Sequence, residues 1–81
     1  MARVHLPQQL HHLTGDVREV VLDVPDYRAL ISALEARFAG CRALIDGRMA
    51  VVIDGDIIDT PLLERLAPDS EVHFLPRVGG G

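Results

Sequence analysis

Length, composition and charge already exclude several classes of protein. The chain has 81 residues, 48% of them hydrophobic and 25% charged, so it has the size of one domain and too much apolar surface to remain disordered. Its formal charge of −4 has the wrong sign for neutralising phosphates, which argues against nucleic-acid binding. No apolar run approaches the roughly 18 residues of a membrane span, and the first residues do not resemble a secretion signal. With a single cysteine, Cys41, we expect a cytoplasmic domain that acts on neither membranes nor nucleic acids.

Two short strands are predicted near the start of the chain. Residues 3–6 alternate polar and apolar side chains, which is typical of a half-buried strand. Pro7 cannot donate a ladder hydrogen bond, and residues 8–15 show no clear period, so we expect a loop or irregular turn there. A second strand over residues 17–24 would complete a hairpin with the first.

The most regular pattern in the chain predicts a helix that starts after Pro25. Asp26 is placed to cap its N-terminus, and Gly40 stands where a left-handed residue would end it. A helix with one apolar stripe needs a sheet face to cover. Residues at helical spacing form that stripe: Tyr27, Leu30, Ile31, Leu34 and Phe38.

Three further strands are predicted in the second half. Residues 49–53 form the third strand, the dipeptide Asp54-Gly55 favours a type I′ hairpin turn, and a short return strand follows. A single helical turn is expected within residues 60–68, and the last strand within residues 69–76.

This order of elements predicts an α+β fold, because strands and one main helix occur without regular alternation. We expect a mixed sheet of four to five strands packed on one main helix. The folded domain would span residues 1–76, and residues 77–81 would form a flexible tail.

No strand or helix is predicted for the last five residues, Arg77-Val78-Gly79-Gly80-Gly81. Three glycines bury no side chain and have the largest backbone entropy to lose, so we expect disorder in the free protein. A tail without Cβ atoms can thread a narrow channel, and it delivers the α-carboxylate of Gly81, which is ionised at neutral pH. The alternative is a frayed end or a remnant of cloning.

Four segments of the second half, together with the first strand and the end of the helix, carry a resemblance to a known family. They are residues 52–56, 59–62, 66–72 and 74–81, with residues 3–7 and 34–40 in the first half. In order and spacing they resemble the MoaD/ThiS family of ubiquitin-like sulfur carriers. The most specific feature is a strand that ends in Leu-Pro-x-Val and is followed by glycines.

The resemblance implies a β-grasp fold and a protein that is a substrate or small subunit, not an enzyme. In the family, an adenylating enzyme related to ubiquitin-activating enzymes uses ATP and magnesium to convert the glycine carboxylate to an acyl-adenylate. A sulfur donor then displaces AMP, and the resulting thiocarboxylate passes its sulfur to a synthase. Carried over, Gly81 bears the acyl group, while Val78, Gly79 and Gly80 thread the active site of the partner. ATP and magnesium belong to that partner, and this chain binds no cofactor.

Three departures from the family pattern and two alternative functions stay open. The chain has three glycines where two are usual, which is compatible with processing by a metalloprotease or with a displaced reactive residue. Residues 63–65 look like an insertion, and the loop over residues 42–48 looks compact. The receiving pathway, whether molybdopterin, cysteine, thiamine or a similar product, is not specified.

The first alternative is a ubiquitin-like modifier joined through Gly81 to lysines of other proteins, and the second is a binding subunit with an inert tail. All eight cations are arginine. A chain without lysine cannot form lysine-linked polymers of itself, which favours the carrier.

A docking surface for partners is predicted beside the tail. The first and last strands are neighbours in a β-grasp sheet, so His5 and His73 should lie side by side on its exposed face. The expected docking residues are Arg3, His5, His73, Leu75 and Arg77. A solvated strand face without a partner is an equal alternative.

We predict no metal site and no reactive thiol. His11 and His12 are adjacent in sequence and point in different directions on most backbones, and no His or Cys pair has ligand spacing. Cys41 is better explained as a small buried hydrophobe than as a persulfide carrier. The aspartates of residues 54–59 lack the pattern of a calcium loop and fit turn chemistry instead.

Overall fold

Five strands and three helices make up most of the described chain. The computed structural model describes residues 1–58 and 61–76. The strands are β1 (Ala2–His5), β2 (Glu19–Leu22), β3 (Met49–Ile53), β4 (Asp56–Ile58) and β5 (Glu71–Pro76), and the helices are α1 (His11–Thr14), α2 (Tyr27–Arg37) and α3 (Cys41–Arg48). Single 3-10 turns lie at Gln8–Leu10 and Pro61–Leu63.

The strands of the described chain form one mixed sheet in the order β2-β1-β5-β3-β4. β1 and β5 run parallel, and the other neighbouring pairs are antiparallel. The chain between the parallel strands is long enough to cross over the sheet, and it contains α2. The predicted α+β fold is confirmed, with five strands. β2 is shorter than the predicted residues 17–24.

One face of the sheet is apolar and covered. Val4 of β1 and Val72 of β5 are 0% exposed, and Phe74 of β5 is 3% exposed. Leu30 and Leu34 of α2 pack into the same core. Because side chains alternate along a strand, each of these strands buries every second residue and leaves the others on the opposite face.

The main helix begins as predicted. The Asp26 carboxylate accepts a hydrogen bond from the Ala29 backbone N–H at 2.8 Å, which satisfies a donor of the first turn. α2 ends at Arg37, and Phe38 lies just beyond it as a partly buried residue. Gly40 has a φ of +99°, so its predicted left-handed conformation is confirmed. Its predicted position at the end of α2 is wrong, because Gly40 is the residue that directly precedes α3. None of the described helices has the length and apolar character needed to cross a membrane.

The prediction of a loop over residues 42–48 is wrong, because these residues belong to α3. Cys41 and Ile45 of this helix are buried, and Leu44 is partly buried against the core. The apolar side of α3 therefore extends over only about two turns, which is too short for a clear helical period in the sequence. The N-terminus of α3 is capped by a side chain of α2. The Glu35 carboxylate accepts hydrogen bonds from the backbone N–H groups of Gly40 and Arg42 at 3.0 and 2.9 Å. These two bonds lower the pKa of Glu35.

The prediction of an irregular segment over residues 8–15 is also wrong. The 3-10 turn Gln8–Leu10 continues into α1, which ends at Gly15 with a φ of +66°. Leu10 is 0% exposed and Thr14, four residues later, is 4% exposed, so this short helical segment has one buried side. Two buried positions are too few to produce a recognisable period in the sequence.

The second half follows the prediction closely. Asp54 and Gly55 both have positive φ angles, 50° and 89°, as the predicted type I′ turn between β3 and β4 requires. The expected helical turn is the 3-10 turn Pro61–Leu63. The next residues anchor the start of α2, since the Glu64 carbonyl accepts the backbone N–H of Tyr27 at 2.9 Å.

Candidate functional site

The uncovered face of the sheet holds four of the five residues that the sequence predicts for docking, namely Arg3, His5, His73 and Leu75. We call it the outer face and define it by the strand residues that alternate with the buried ones: Glu19, Val21, Arg3, His5, Glu71, His73, Leu75, Ala50, Val52 and Ile57. The strand register places five of them in one row across all strands: Glu19, His5, His73, Val52 and Ile57. Along this row, the side chains of the outer face change from charged and polar at β2 to apolar at β4.

Two histidines stack at the middle of the outer face. His5 of β1 lies directly opposite His73 of the parallel strand β5. Their ring centroids are 4.1 Å apart, and the ring planes differ by 3°. The predicted adjacency of these two residues is confirmed.

Carboxylates flank His5 on both sides, which the sequence analysis did not predict. Nε2 of His5 lies 3.1 Å from Oε1 of Glu71, and Nδ1 lies 3.5 Å from Oε1 of Glu19. Glu71 reaches His5 because it shares the outer face with His73, two residues along β5. Only the register between strands, which no local pattern specifies, could have revealed this arrangement.

Arg3 adds a cation at the edge of this group. Its Nε lies 3.5 Å from Oε2 of Glu19, and about half of each side chain remains exposed. An ion pair this exposed contributes at most about 1 kcal/mol to stability. We conclude that Arg3 affects the charge of the outer face more than it affects folding.

The apolar part of the outer face lies toward the end of β5. Leu75 is 46% exposed and lies opposite Ala50 of β3, and Ile57 on β4 is 67% exposed. β5 ends one residue after Leu75, at Pro76. Arg77 and the tail residues Val78, Gly79, Gly80 and Gly81 lie outside the described residues, so their predicted roles in docking and acyl transfer stay predictions.

Two other side chains that the sequence analysis considered for chemistry, Cys41 and Asp54, contribute to packing and to hydrogen bonds within the fold. Cys41 is 0% exposed, and burial raises the pKa of its thiol, with the nearby charge of Glu35 acting in the same direction. The buried environment agrees with its interpretation as a small hydrophobe. Asp54 serves more than its turn: its carboxylate accepts hydrogen bonds from the Ser70 hydroxyl and from the Glu71 backbone N–H, both at 2.9 Å.

Comparison with protein families accounts for the chain as a whole. The model of the ThiS family matches residues 4–81. The chain belongs to the ThiS family. The predicted resemblance is thereby confirmed, and the family is one of small sulfur carrier proteins. Among functionally curated proteins, none matches the sequence.

Solved structures confirm the β-grasp fold. A chain from the crystal structure of the BexX/CysO complex of Amycolatopsis orientalis is 21% identical, with a TM-score of 0.85 and 100% of each chain covered. CysO of Mycobacterium tuberculosis, described as an antigen, is 21% identical, with a TM-score of 0.86 over 96% of this chain and 100% of CysO. Small archaeal modifier protein 1 of Methanosarcina acetivorans is 22% identical, with a TM-score of 0.80 over 99% of this chain and 95% of that protein. At these identities the likeness establishes the fold alone.

Proposed function

We propose that this protein carries sulfur as a thiocarboxylate on Gly81. The observation that carries the proposal is that the family match extends through Gly81 and so includes the glycine tail itself, beyond the end of the sheet at Pro76. Partner proteins would bind the folded domain, and the tail would enter their active sites.

The chemistry requires activation, because a carboxylate is a poor acyl donor. A partner adenylating enzyme, with its own ATP and magnesium, would join the Gly81 carboxylate to AMP and release pyrophosphate. Hydrosulfide would then attack the acyl carbon and displace AMP, leaving one sulfur in place of one carboxylate oxygen. A sulfur-accepting synthase would consume the thiocarboxylate. Under this scheme the chain is a substrate or small subunit and not the catalyst.

The outer face supports a carrier that docks on such partners. Leu75 is exposed beside Ala50, and it lies one residue before the end of β5. An exposed apolar side chain next to polar and charged ones is typical of interfaces. CysO of Amycolatopsis orientalis has been crystallised in complex with BexX, so a chain of this fold does bind a partner protein.

The decisive experiment is intact-mass measurement of the full chain after incubation with ATP, magnesium, sulfide and a cognate adenylating enzyme. We expect the mass change of one oxygen replaced by sulfur, together with release of AMP. Deletion of Gly80 and Gly81, which leaves fewer glycines than the two that are usual, should abolish the change while the circular dichroism spectrum stays the same. If a competent cognate adenylating enzyme leaves this chain unmodified in the presence of ATP, magnesium and sulfide, the proposal is wrong.

A matched pair of leucines tests the docking role. Leu75→Ser should lower the initial rate of conversion, because it removes the exposed apolar contact beside the tail. Leu63→Ser is the control, since Leu63 is 83% exposed and lies in the 3-10 turn, away from the outer face. Equal rates for the two variants would remove Leu75 from the docking surface.

The second candidate is a ubiquitin-like modifier, which the likeness to small archaeal modifier protein 1 favours. In this case Gly81 would form an amide with lysines of other proteins. Trypsin cuts after arginine, so digestion after Arg77 would leave a Val-Gly-Gly-Gly remnant on each modified lysine. Finding such remnants in cells, with none from the Gly81 deletion, would establish conjugation.

A further inference from the structure

We propose that His5, His73 and Glu71 form a binding site for a divalent transition-metal ion such as Zn²⁺ on the outer face of the sheet. The proposal is independent of the proposed function, and it replaces the expectation of no metal site, which was drawn from ligand spacing along the chain. The geometry across strands carries it.

The three side chains converge from two paired strands. One ligand atom from each residue lies within 4.8 Å of the other two, and in the described part of the chain no second group of three such residues does so. Two ligands of a tetrahedral zinc ion, each about 2.0–2.1 Å from the metal, are separated by about 3.3 Å. The ligand atoms must therefore approach each other by about 1.5 Å at most. The His73 ring must also turn out of its parallel stack on His5, because each nitrogen lone pair lies in the plane of its own ring. His73 and Glu71 are exposed, so they can rotate toward His5 without disturbing the core.

The surroundings of His5 match those of a metal-binding histidine. A neutral imidazole has one N–H and one lone pair, yet both nitrogens of His5 face carboxylate oxygens, which accept but do not donate. A metal ion between Nε2 and the Glu71 carboxylate would satisfy the lone pair. The Nδ1–H would then face the Glu19 carboxylate 3.5 Å away, and a metal-bound histidine usually donates this second N–H to a carboxylate, a backbone carbonyl or water.

The donor set selects the class of metal. Two imidazoles and one carboxylate suit zinc, nickel, copper or iron, whereas calcium and magnesium prefer oxygen ligands alone. The site is an open surface position with three protein ligands, so water or a group from another molecule would complete the coordination.

The test is calorimetric titration of the full chain, without a histidine tag, with ZnCl₂ at mildly alkaline pH, where a free imidazole is neutral and offers one lone pair to a metal. We expect one ion per chain. His73→Gln should weaken binding at least about tenfold, since even loss of an outer-shell partner costs roughly 10- to 100-fold in affinity. Cobalt absorption spectra of the same variant should show weaker visible bands than those of the unchanged protein, because one imidazole ligand is lost.

His12→Gln is the matched control, because His12 lies in α1 and outside the cluster. It should bind zinc as the unchanged protein does, and His5→Gln should reproduce the effect of His73→Gln. The proposal is overturned if the unchanged protein binds zinc no more tightly than His73→Gln, or if His12→Gln weakens binding equally. In the first case, the histidines and carboxylates of the outer face form only a cluster of polar contacts on the surface.

Discussion

The two faces of β5 differ in chemistry although they consist of alternating residues of one strand. Val72 and Phe74 are 0% and 3% exposed and belong to the core, whereas His73 and Leu75 lie on the outer face. Residues on the first face are constrained by close packing, and those on the second are not. One strand can therefore support folding with one face and recognition with the other, so the two should be separable by mutation.

The largest effect on stability should come from the buried side of β5. Phe74→Ala removes a large core side chain and should lower the free energy of unfolding by about 3–5 kcal/mol. Its neighbour Leu75→Ala should change it by no more than about 0.5 kcal/mol, as is usual for surface positions. Urea denaturation measures both. A loss of stability in Leu75→Ala comparable to that in Phe74→Ala would show that the two faces are not separable.

A smaller effect is expected where the β3–β4 turn meets the start of β5. Asp54→Ala would leave the buried Ser70 hydroxyl and the Glu71 N–H without their acceptor, and it would place alanine at a φ of 50°. We expect a loss of about 2–3 kcal/mol from the lost acceptors and the backbone strain. Asp56→Ala in the same hairpin is the control and should unfold at nearly the concentration of urea that unfolds the unchanged protein.

The smallest effect should depend on pH and lie far from the outer face. Hydrogen bonds from Gly40 and Arg42 lower the pKa of Glu35 in the folded state, so its stabilising contribution is present above the pKa of the unfolded chain. This contribution is lost as pH falls through the folded pKa. Glu35→Ala should therefore melt below the unchanged protein at neutral pH, and the difference should shrink in acid. Glu64→Ala, another exposed carboxylate, should show no such convergence in thermal scans.

Strong local patterns made most of the fold predictable. The apolar stripe of α2, the Asp26 cap, the Asp54-Gly55 turn and the alternation along β5 each depend on nearby residues, and each is confirmed. The two errors, α1 and α3, are short helices with few buried positions. Glu35 of α2 caps the start of α3. A contact between two helices is not visible as a local pattern in the sequence.

Alternation and motif order are properties of the chain, so they predicted the α+β fold, the family and four residues of the outer face, which are Arg3, His5, His73 and Leu75. The sequence also placed His5 beside His73 once the family fold was assumed. The positions of Glu19 and Glu71 beside the two nitrogens of His5 depend on how the strands pair in the folded protein. The reason is physical: register between strands is set by the packing of the whole buried face, so it brings together residues whose own sequence neighbours say nothing of one another.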